Sequence, residues 1–236
     1  VMLVLGAAAL FGAKSQTGDA VKRDSLAVVV ATAFMAFFVI IGEVPMIGGI
    51  VMLVSLSVYY FYTYSKAISG DDEYEFEDSW LSKKISVAIP ACLVGGLMIW
   101  FGAELLVSGS KGIADTFGVS EAVIGLTIVA LGTSLPELAV TLVAGLRGQG
   151  GVAVGNVLGS NVMNIMGIIG IASIVGNGII VDSVFTRDIA VVVVTSGFVV
   201  GVFLSGKDFS KTMGSLMIIT YLSYMTYLAG ILDSVV

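Results

Sequence analysis

Long apolar stretches separated by short polar segments constrain the fold of this chain more than any other feature. They fall at residues 25–42, 46–62, 86–110, 119–146, 151–176, 188–205 and 212–231, after a shorter one at 1–12. A helix that spans a bilayer needs about 20 mainly apolar residues. Seven stretches are therefore long enough to span, and the first is a stub. Because the stretches are continuous and do not alternate with polar residues, they favour helices over membrane β-strands.

The composition excludes most soluble and enzymatic classes. Only 12% of the residues are charged, whereas soluble domains carry about 25%. The chain has no histidine and one cysteine, Cys92, which argues against an enzyme that uses imidazole or thiolate chemistry. The 11 basic residues form no stripe and give no support for nucleic-acid binding. We expect an all-α integral membrane protein, with the lipid bilayer as its partner, no cofactor and no enzymatic activity.

The distribution of lysine and arginine predicts the orientation in the membrane. If the segment at 13–23 lies on one side, the loops at 65–85, 147–150 and 206–211 share that side, which then holds nine of the 11 basic residues. Basic residues favour the cytoplasmic side. We therefore expect a multi-pass protein of the cell membrane, with the acidic 65–85 loop in the cytoplasm and the C-terminus outside.

An internal repeat relates the two ends of the chain. The segment RDSLAVVV at 23–30 returns as RDIAVVVV at 187–194, an offset of 164, and the same offset aligns 1–12 with 165–176. One residue of slip extends the correspondence to three further pairs: Gly49, Tyr59 and Tyr62 with Gly214, Tyr224 and Tyr227. An odd number of predicted crossings, five, separates the two copies, so they have opposite orientations. Inverted repeats of this kind build secondary transporters.

One acidic residue lies deep inside an apolar stretch, in the segment ALGTSLPEL at 130–138. A charged side chain at bilayer depth costs about 2.5–3.5 kcal/mol on insertion scales, so we expect Glu137 to be functional. Gly132 and Pro136 predict a break or kink of the helix, which would free backbone carbonyls at this depth. Carbonyl, hydroxyl and carboxylate oxygens are ligands for hard cations. The alternative is a capping box, in which Ser134 caps a helix and Glu137 follows three residues later.

A second candidate segment, GVAVGNVLGSNVMN, covers residues 151–164. Asn156, Ser160 and Asn164 recur every fourth residue and so share one helix face. A second broken helix beside Glu137 would bring Ser160 and Asn164 to the same cavity, and oxygen ligands with one carboxylate suit calcium and sodium. Packing between helices is the alternative for all three of these residues. Three further residues are also interpreted as packing residues, because amides and small residues can hold two helices together: Asn161, Gly155 and Gly159.

At these motifs the sequence resembles the cation/calcium antiporter superfamily. The segments GTSLPEL and GNVLGSNVMNI are similar to the second alpha-repeat of prokaryotic sodium/calcium exchangers, which here covers 119–176. The resemblance implies ten helices in two inverted halves, and exchange of calcium against sodium or protons by alternating access. It implies that Glu137 is the carboxylate ligand of Ca²⁺ or Na⁺. It assigns oxygen ligands to four further positions: the hydroxyl or backbone oxygens of Thr133 and Ser134, the carbonyl of Ala130 and an oxygen of Ser160. At Asn164 the family's second repeat can instead carry Asp, so this chain has a less negative site.

The repeat offset carries Glu137 to a position before Val1, where the family's first alpha-repeat is expected. We therefore expect half of the cation site to lie outside this chain. Residues 1–64 would hold the end of the third helix and the fourth and fifth helices, 65–85 an acidic loop, and 86–236 the sixth to tenth helices. The predicted fold is an inverted-repeat transporter bundle with seven full transmembrane helices and a truncated first one. The expected function is calcium exchange against sodium, with two alternatives: a proton/calcium antiporter, and a non-transporting membrane fragment or scaffold.

Overall fold

The computed structural model describes residues 1–11, 18–69, 85–118, 130–182, 185–207 and 209–235. The described residues are almost entirely helical. The elements are α1 (Met2–Leu10), α2 (Asp19–Ile41), β1 (Glu43–Val44), α3 (Met46–Ile68), α4 (Ile85–Phe117), α5 (Ala130–Leu146), α6 (Gly150–Val162), a π-helix (Met163–Ile169), α7 (Gly170–Val175), β2 (Ile179–Ile180), α8 (Phe185–Leu204) and α9 (Lys211–Val235). The acidic stretch at 71–78 lies outside the described residues.

Four helical stretches among the described residues are long and apolar enough to cross a membrane: α2, α3, α8 and the composite Gly150–Val175. Large apolar side chains on these helices face outward, among them Ile40, Ile47, Phe61 and Val194. Many large exposed apolar side chains on these helices fit a lipid environment. The prediction of a multi-pass helical membrane protein is confirmed, whereas the count of seven spanning helices stays a prediction.

The connection between α2 and α3 is fixed by two residues with restricted backbone preferences. Helix α2 ends at Gly42, whose φ of 86° is a left-handed conformation that glycine adopts without strain. Pro45 directly precedes α3, where its missing N–H costs no helical hydrogen bond. Between them β1 pairs antiparallel with β2, with Val44 opposite Ile179. The short connection therefore places α2 and α3 side by side and joins them to the segment that follows α7.

The described chain forms two compact units, and the division falls inside α5, between Pro136 and Glu137. In the first unit, which contains residues 1–74 and 137–218, α2 packs against α6 and α8, and α3 packs against the π-helix and α7. Its centre is apolar and is filled by side chains of these helices: Val28, Met52, Leu158, Val162 and Val199. In the second unit, residues 75–136 and 219–236, Leu106 of α4 lies against Gly132 of α5.

The sequence repeat reappears in the first unit as two equivalent helix crossings. A Cβ atom built on Gly49 of α3 would lie 2.6 Å from the carbonyl oxygen of Gly170 in α7. A Cβ atom built on Gly214 of α9 would lie 2.7 Å from the carbonyl oxygen of Gly6 in α1. The repeat relates Gly6 to Gly170 and, with the slip of one residue, Gly49 to Gly214. In each crossing a helix of one repeat copy therefore contacts a helix of the other copy, and the same close backbone contact forms twice.

The repeated Arg-Asp motif forms a buried polar network in its first copy. Arg23 Nε lies 2.8 Å from Asp24 Oδ1, and the hydroxyl of Tyr59 in α3 donates to the same oxygen at 3.0 Å. Asp24 is only 4% exposed. Hydrogen bonds to an ionised carboxylate are stronger than neutral ones, so this network joins α2 to α3 near the start of α2.

Both candidate segments differ from the breaks that their sequences predict. Helix α5 runs without interruption through Pro136, and α6 passes directly into the π-helix and then α7. Pro136 has no N–H to donate to the carbonyl of Gly132, four residues earlier. One carbonyl is thus freed inside a continuous helix. In the second segment the helix widens where it was expected to break.

Candidate cation site

The first turns of α5 contain three of the residues that the resemblance assigns as ligands. The hydroxyls of Thr133 and Ser134 both donate to the carbonyl oxygen of Ala130, at 3.2 and 3.0 Å. Each hydroxyl donates its only hydrogen in this bond, so the lone pairs of its oxygen are not used by it. Those lone pairs suit a cation. The carbonyl oxygen of Ala130 already accepts two hydrogen bonds, which leaves it less available as a ligand.

Glu137 is the first residue of α5 that belongs to the first unit. Its Oε2 atom is buried and accepts no hydrogen bond from any residue that the structure describes. A buried carboxylate oxygen without a donor is unfavourable, unless a cation neutralises it.

Asn156 of α6 holds the backbone at Glu137 in place. Its Nδ2 atom donates to the carbonyl oxygen of Glu137 at 3.1 Å and to Oγ1 of Thr141 at 3.0 Å. Both hydrogens of the amide are thereby used. Thr141, which is fully buried, was not identified from the sequence. The available signal was its position one helical turn after Glu137, on the same face of α5.

Replacing Asn156 with Ala is expected to destabilise the protein by about 1–3 kcal/mol, because it leaves buried Thr141 without its donor. Asn161 provides a matched control on the same helix. Among the described residues, its Nδ2 atom donates within α6, to the carbonyl of Val157 at 2.6 Å, so Asn161→Ala should have a clearly smaller effect. Thermal unfolding of both variants in detergent tests this expectation. Equal losses of stability would contradict an anchoring role that is specific to Asn156.

The remaining candidates lie on α6 and the π-helix. Ser160 donates its hydroxyl to the carbonyl of Val157 at 3.1 Å, so its lone pairs also remain. Asn164 lies in the π-helix and is exposed. Short π-helical segments inside α-helices are frequent at functional sites.

The structure joins Glu137, Asn156 and Thr141 by hydrogen bonds, but among the described residues neither Ser160 nor Asn164 hydrogen-bonds to Glu137. A Cβ atom on Gly159 would meet no described atom within 4 Å. Close packing at Gly155 and Gly159 therefore stays a prediction. In the part of the chain that the structure describes, no three His, Cys, Asp or Glu residues group closely enough to hold a metal ion. Among the described residues, Glu137 is therefore not part of a group of three or more such ligands.

Comparison with known proteins decides the family. The family model described as sodium/calcium exchanger protein matches residues 87–230, more than half of the chain. The chain belongs to the sodium/calcium exchanger family. The matched range contains α5, α6 and the π-helix, and therefore all the candidate residues. The family resemblance predicted from the two sequence motifs is confirmed.

Individual relatives in the sodium/calcium exchanger family agree with this assignment. The protein CaxA of Alkalimonas amylolytica is 32% identical over 203 residues, which are 80% of this chain and 60% of CaxA. The sodium/calcium exchanger MaX1 of Methanosarcina acetivorans is 42% identical over 90 residues, 38% of this chain and 26% of MaX1. The solved sodium/calcium exchanger of Methanococcus jannaschii superimposes with a TM-score of 0.71 at 28% identity, covering 96% of this chain and 71% of that one. The chain thus spans about three fifths of CaxA and a smaller part of MaX1.

Proposed function

We propose that the complete protein exchanges Ca²⁺ for Na⁺ across a membrane by alternating access, with Glu137 as the central ligand. The observation that carries the proposal is the buried Oε2 of Glu137, which receives no hydrogen bond from the described residues. Oε2 belongs to a residue of α5, the helix that also contains the Gly132 carbonyl, which Pro136 leaves without its helical hydrogen bond. The chain is a member of the sodium/calcium exchanger family. Ca²⁺ and Na⁺ are hard cations that prefer such oxygens. The exchange involves no covalent chemistry and no cofactor.

Neutral oxygens are proposed to complete the coordination of the cation. The candidates are the hydroxyls of Thr133, Ser134 and Ser160, the side-chain oxygen of Asn164 and, with less room for a further partner, the carbonyl of Ala130. The hydroxyl groups of Thr133, Ser134 and Ser160 support this proposal, because each already donates its hydrogen to a backbone carbonyl. The oxygens are therefore free to act as acceptors. A site with one carboxylate and several neutral oxygens can hold either a monovalent or a divalent cation.

Ligands from a first alpha-repeat are proposed to complete the site from its other side. The inverted repeat predicts such a segment, and the relatives that this chain matches are longer than the chain. We also propose the orientation that the basic residues predict, with the 65–85 loop in the cytoplasm and the C-terminus outside.

Uptake of radioactive ⁴⁵Ca²⁺ into proteoliposomes that contain the complete protein tests the function. An outward Na⁺ gradient is expected to raise uptake by roughly tenfold over a choline gradient, as a driving ion does in a secondary transporter. A pH gradient at equal Na⁺ should not raise it. Uptake that follows the pH gradient alone would instead identify a proton/calcium antiporter, and no uptake under either gradient would favour a scaffold. The 236-residue chain alone should bind ⁴⁵Ca²⁺ much more weakly, and tight binding would contradict a site shared with a first repeat.

A further inference from the structure

Helix α3 contacts the π-helix and α7 along one of its faces. A Cβ atom on Gly170 would lie 3.1 Å from both the carbonyl oxygen of Gly49 and Cγ of Leu53. One turn earlier, a Cβ atom on Gly167 would lie 3.2 Å from Cδ2 of Leu56. Positions 49, 53 and 56 follow the spacing of one helix face. A Cβ atom at Gly170 would therefore press on α3, whereas at Gly167 its tightest contact would be with Sδ of Met163 in the π-helix itself, at 2.8 Å.

Ser173 fastens the end of α7 to the start of α3. Its side chain is fully buried, and its hydroxyl donates to the carbonyl oxygens of Val44 and Pro45 at 3.0 and 2.9 Å. A Cβ atom on Gly49 would lie 3.0 Å from Oγ of Ser173. The repeat pairs Ser173 with Ala9, which has no hydroxyl. These hydrogen bonds therefore belong to the α3–α7 crossing and have no counterpart at the equivalent crossing of α1 and α9.

The π-helix lies between two fixed points. On its N-terminal side, α6 is tied to α5 through the amide of Asn156. On its C-terminal side, α7 is held against α3 at Gly49, Gly170 and Ser173. A π-helix holds more residues per turn than an α-helix, so a shift of α7 along α3 would change how the segment is wound. Asn164, its second residue, would then point in another direction.

We propose that Gly49, Gly170 and Ser173 are positioning residues, which set the direction of the Asn164 side chain by holding α7 on α3. The inference rests on the proposed function, since it concerns the presentation of Asn164 to the cation. None of the three residues contacts the cation in this proposal. They act through the winding of the π-helix.

The substitution Gly49→Ala tests the crossing, because the added methyl group would lie 2.6 Å from the Gly170 carbonyl oxygen and α7 must move. We expect the half-saturating Ca²⁺ concentration for exchange to rise roughly tenfold, while the maximal rate stays within about threefold of the wild-type rate. This pattern is expected when a substitution weakens ion binding more than it slows the transport step. Gly197→Ala in α8 is the matched control, since a Cβ atom there meets no described atom within 4 Å. It should leave both parameters unchanged.

A double-mutant cycle distinguishes positioning from general damage. In an Asn164→Ala background, Gly49→Ala should raise the half-saturating concentration by less than about twofold, because the positioned group is already absent. Effects that multiply would overturn the proposal. Should Gly49→Ala fail to fold, Ser173→Ala serves in its place. It removes only the hydroxyl, and we expect a rise of about threefold that Asn164→Ala again suppresses. Wild-type values from Ser173→Ala would overturn the proposal.

Hydrogen exchange separates a failure of this inference from a failure of the proposed function. Amides of residues 163–169 should exchange faster in Gly49→Ala than in the wild type or Gly197→Ala, whether or not the protein transports Ca²⁺. Unchanged exchange in that segment would overturn the positioning role. Absence of Ca²⁺ uptake by the wild type, together with faster exchange in the variant, would instead overturn the proposed function.

Discussion

Replacing Glu137 with Gln is expected to lower sodium-driven Ca²⁺ uptake by roughly 100-fold or more, since loss of about 3 kcal/mol of ion binding corresponds to two decades in affinity. Among the proposed ligands within this chain, Glu137 alone carries a negative charge. A unit charge about 4 Å from a divalent ion contributes several kcal/mol even at an effective dielectric constant of about 20. No rearrangement of neutral oxygens replaces that charge.

The geometry at Glu137 makes this substitution selective for charge. Gln has nearly the same shape as Glu, so the packing around α5 should survive. The hydrogen bond from Asn156 goes to the backbone carbonyl of Glu137 and not to its side chain, so the anchor between α5 and α6 is also retained. The buried Oε2, which receives no hydrogen bond from the described residues, becomes part of a neutral amide. A loss of transport would therefore report the loss of cation coordination.

Glu104 offers a matched control for the charge. It also lies in an apolar stretch, in α4, but its side chain is exposed. Glu104→Gln removes the same charge from α4 and should keep uptake within about twofold, as expected for an exposed side chain that is not among the proposed ligands. Thermal unfolding of both variants should match the wild type. Wild-type flux from a folded Glu137→Gln protein would contradict the assignment of Glu137 as the central ligand.

The helices were predictable because spanning a bilayer imposes length and hydropathy on a sequence. The apolar stretch at 46–62 lies within α3, and the stretch at 188–205 nearly coincides with α8. Helix α2 begins at Asp19, before the apolar stretch at 25–42, because polar residues belong to its first turns. Asp24 is accommodated there by Arg23 and by Tyr59 of the next helix. A count of apolar residues along the chain cannot detect such a contact.

The motifs of the candidate site were predictable, but their conformations were not. Pro136 and Gly132 predict a broken helix from local preferences, whereas α5 continues through both. Proline is tolerated in membrane helices when the freed carbonyl finds other partners, and that depends on neighbours the sequence does not reveal. The anchor at Thr141 and the winding of the π-helix likewise depend on contacts with other helices. The repeat relates Gly6 to Gly170 and Gly49 to Gly214, yet it could not show that Gly6 packs against Gly214 and Gly170 against Gly49.

Replacing Asn164 with Asp is expected to lower the half-saturating Ca²⁺ concentration by roughly tenfold or more, because a second carboxylate adds at least about 1.4 kcal/mol of attraction for a divalent ion. The Coulomb attraction to Ca²⁺ is twice that to Na⁺ at equal distance. The variant should therefore also need more Na⁺ to compete with Ca²⁺. The exposed Asn177, in the connection between α7 and β2, provides a control in which Asn177→Asp adds the same charge away from the site.

The same substitution should slow exchange even as it tightens binding. Two carboxylates that face one site repel each other when the cation has left. The cation-free protein is then less stable relative to the loaded one, so release becomes harder. The added charge also changes the net charge that the loaded site carries across the membrane in each cycle. Transport currents on a supported membrane, compared with ⁴⁵Ca²⁺ uptake, measure that change directly. An unchanged ratio of current to Ca²⁺, with unchanged affinity, would show that Asn164 does not face the transported ion.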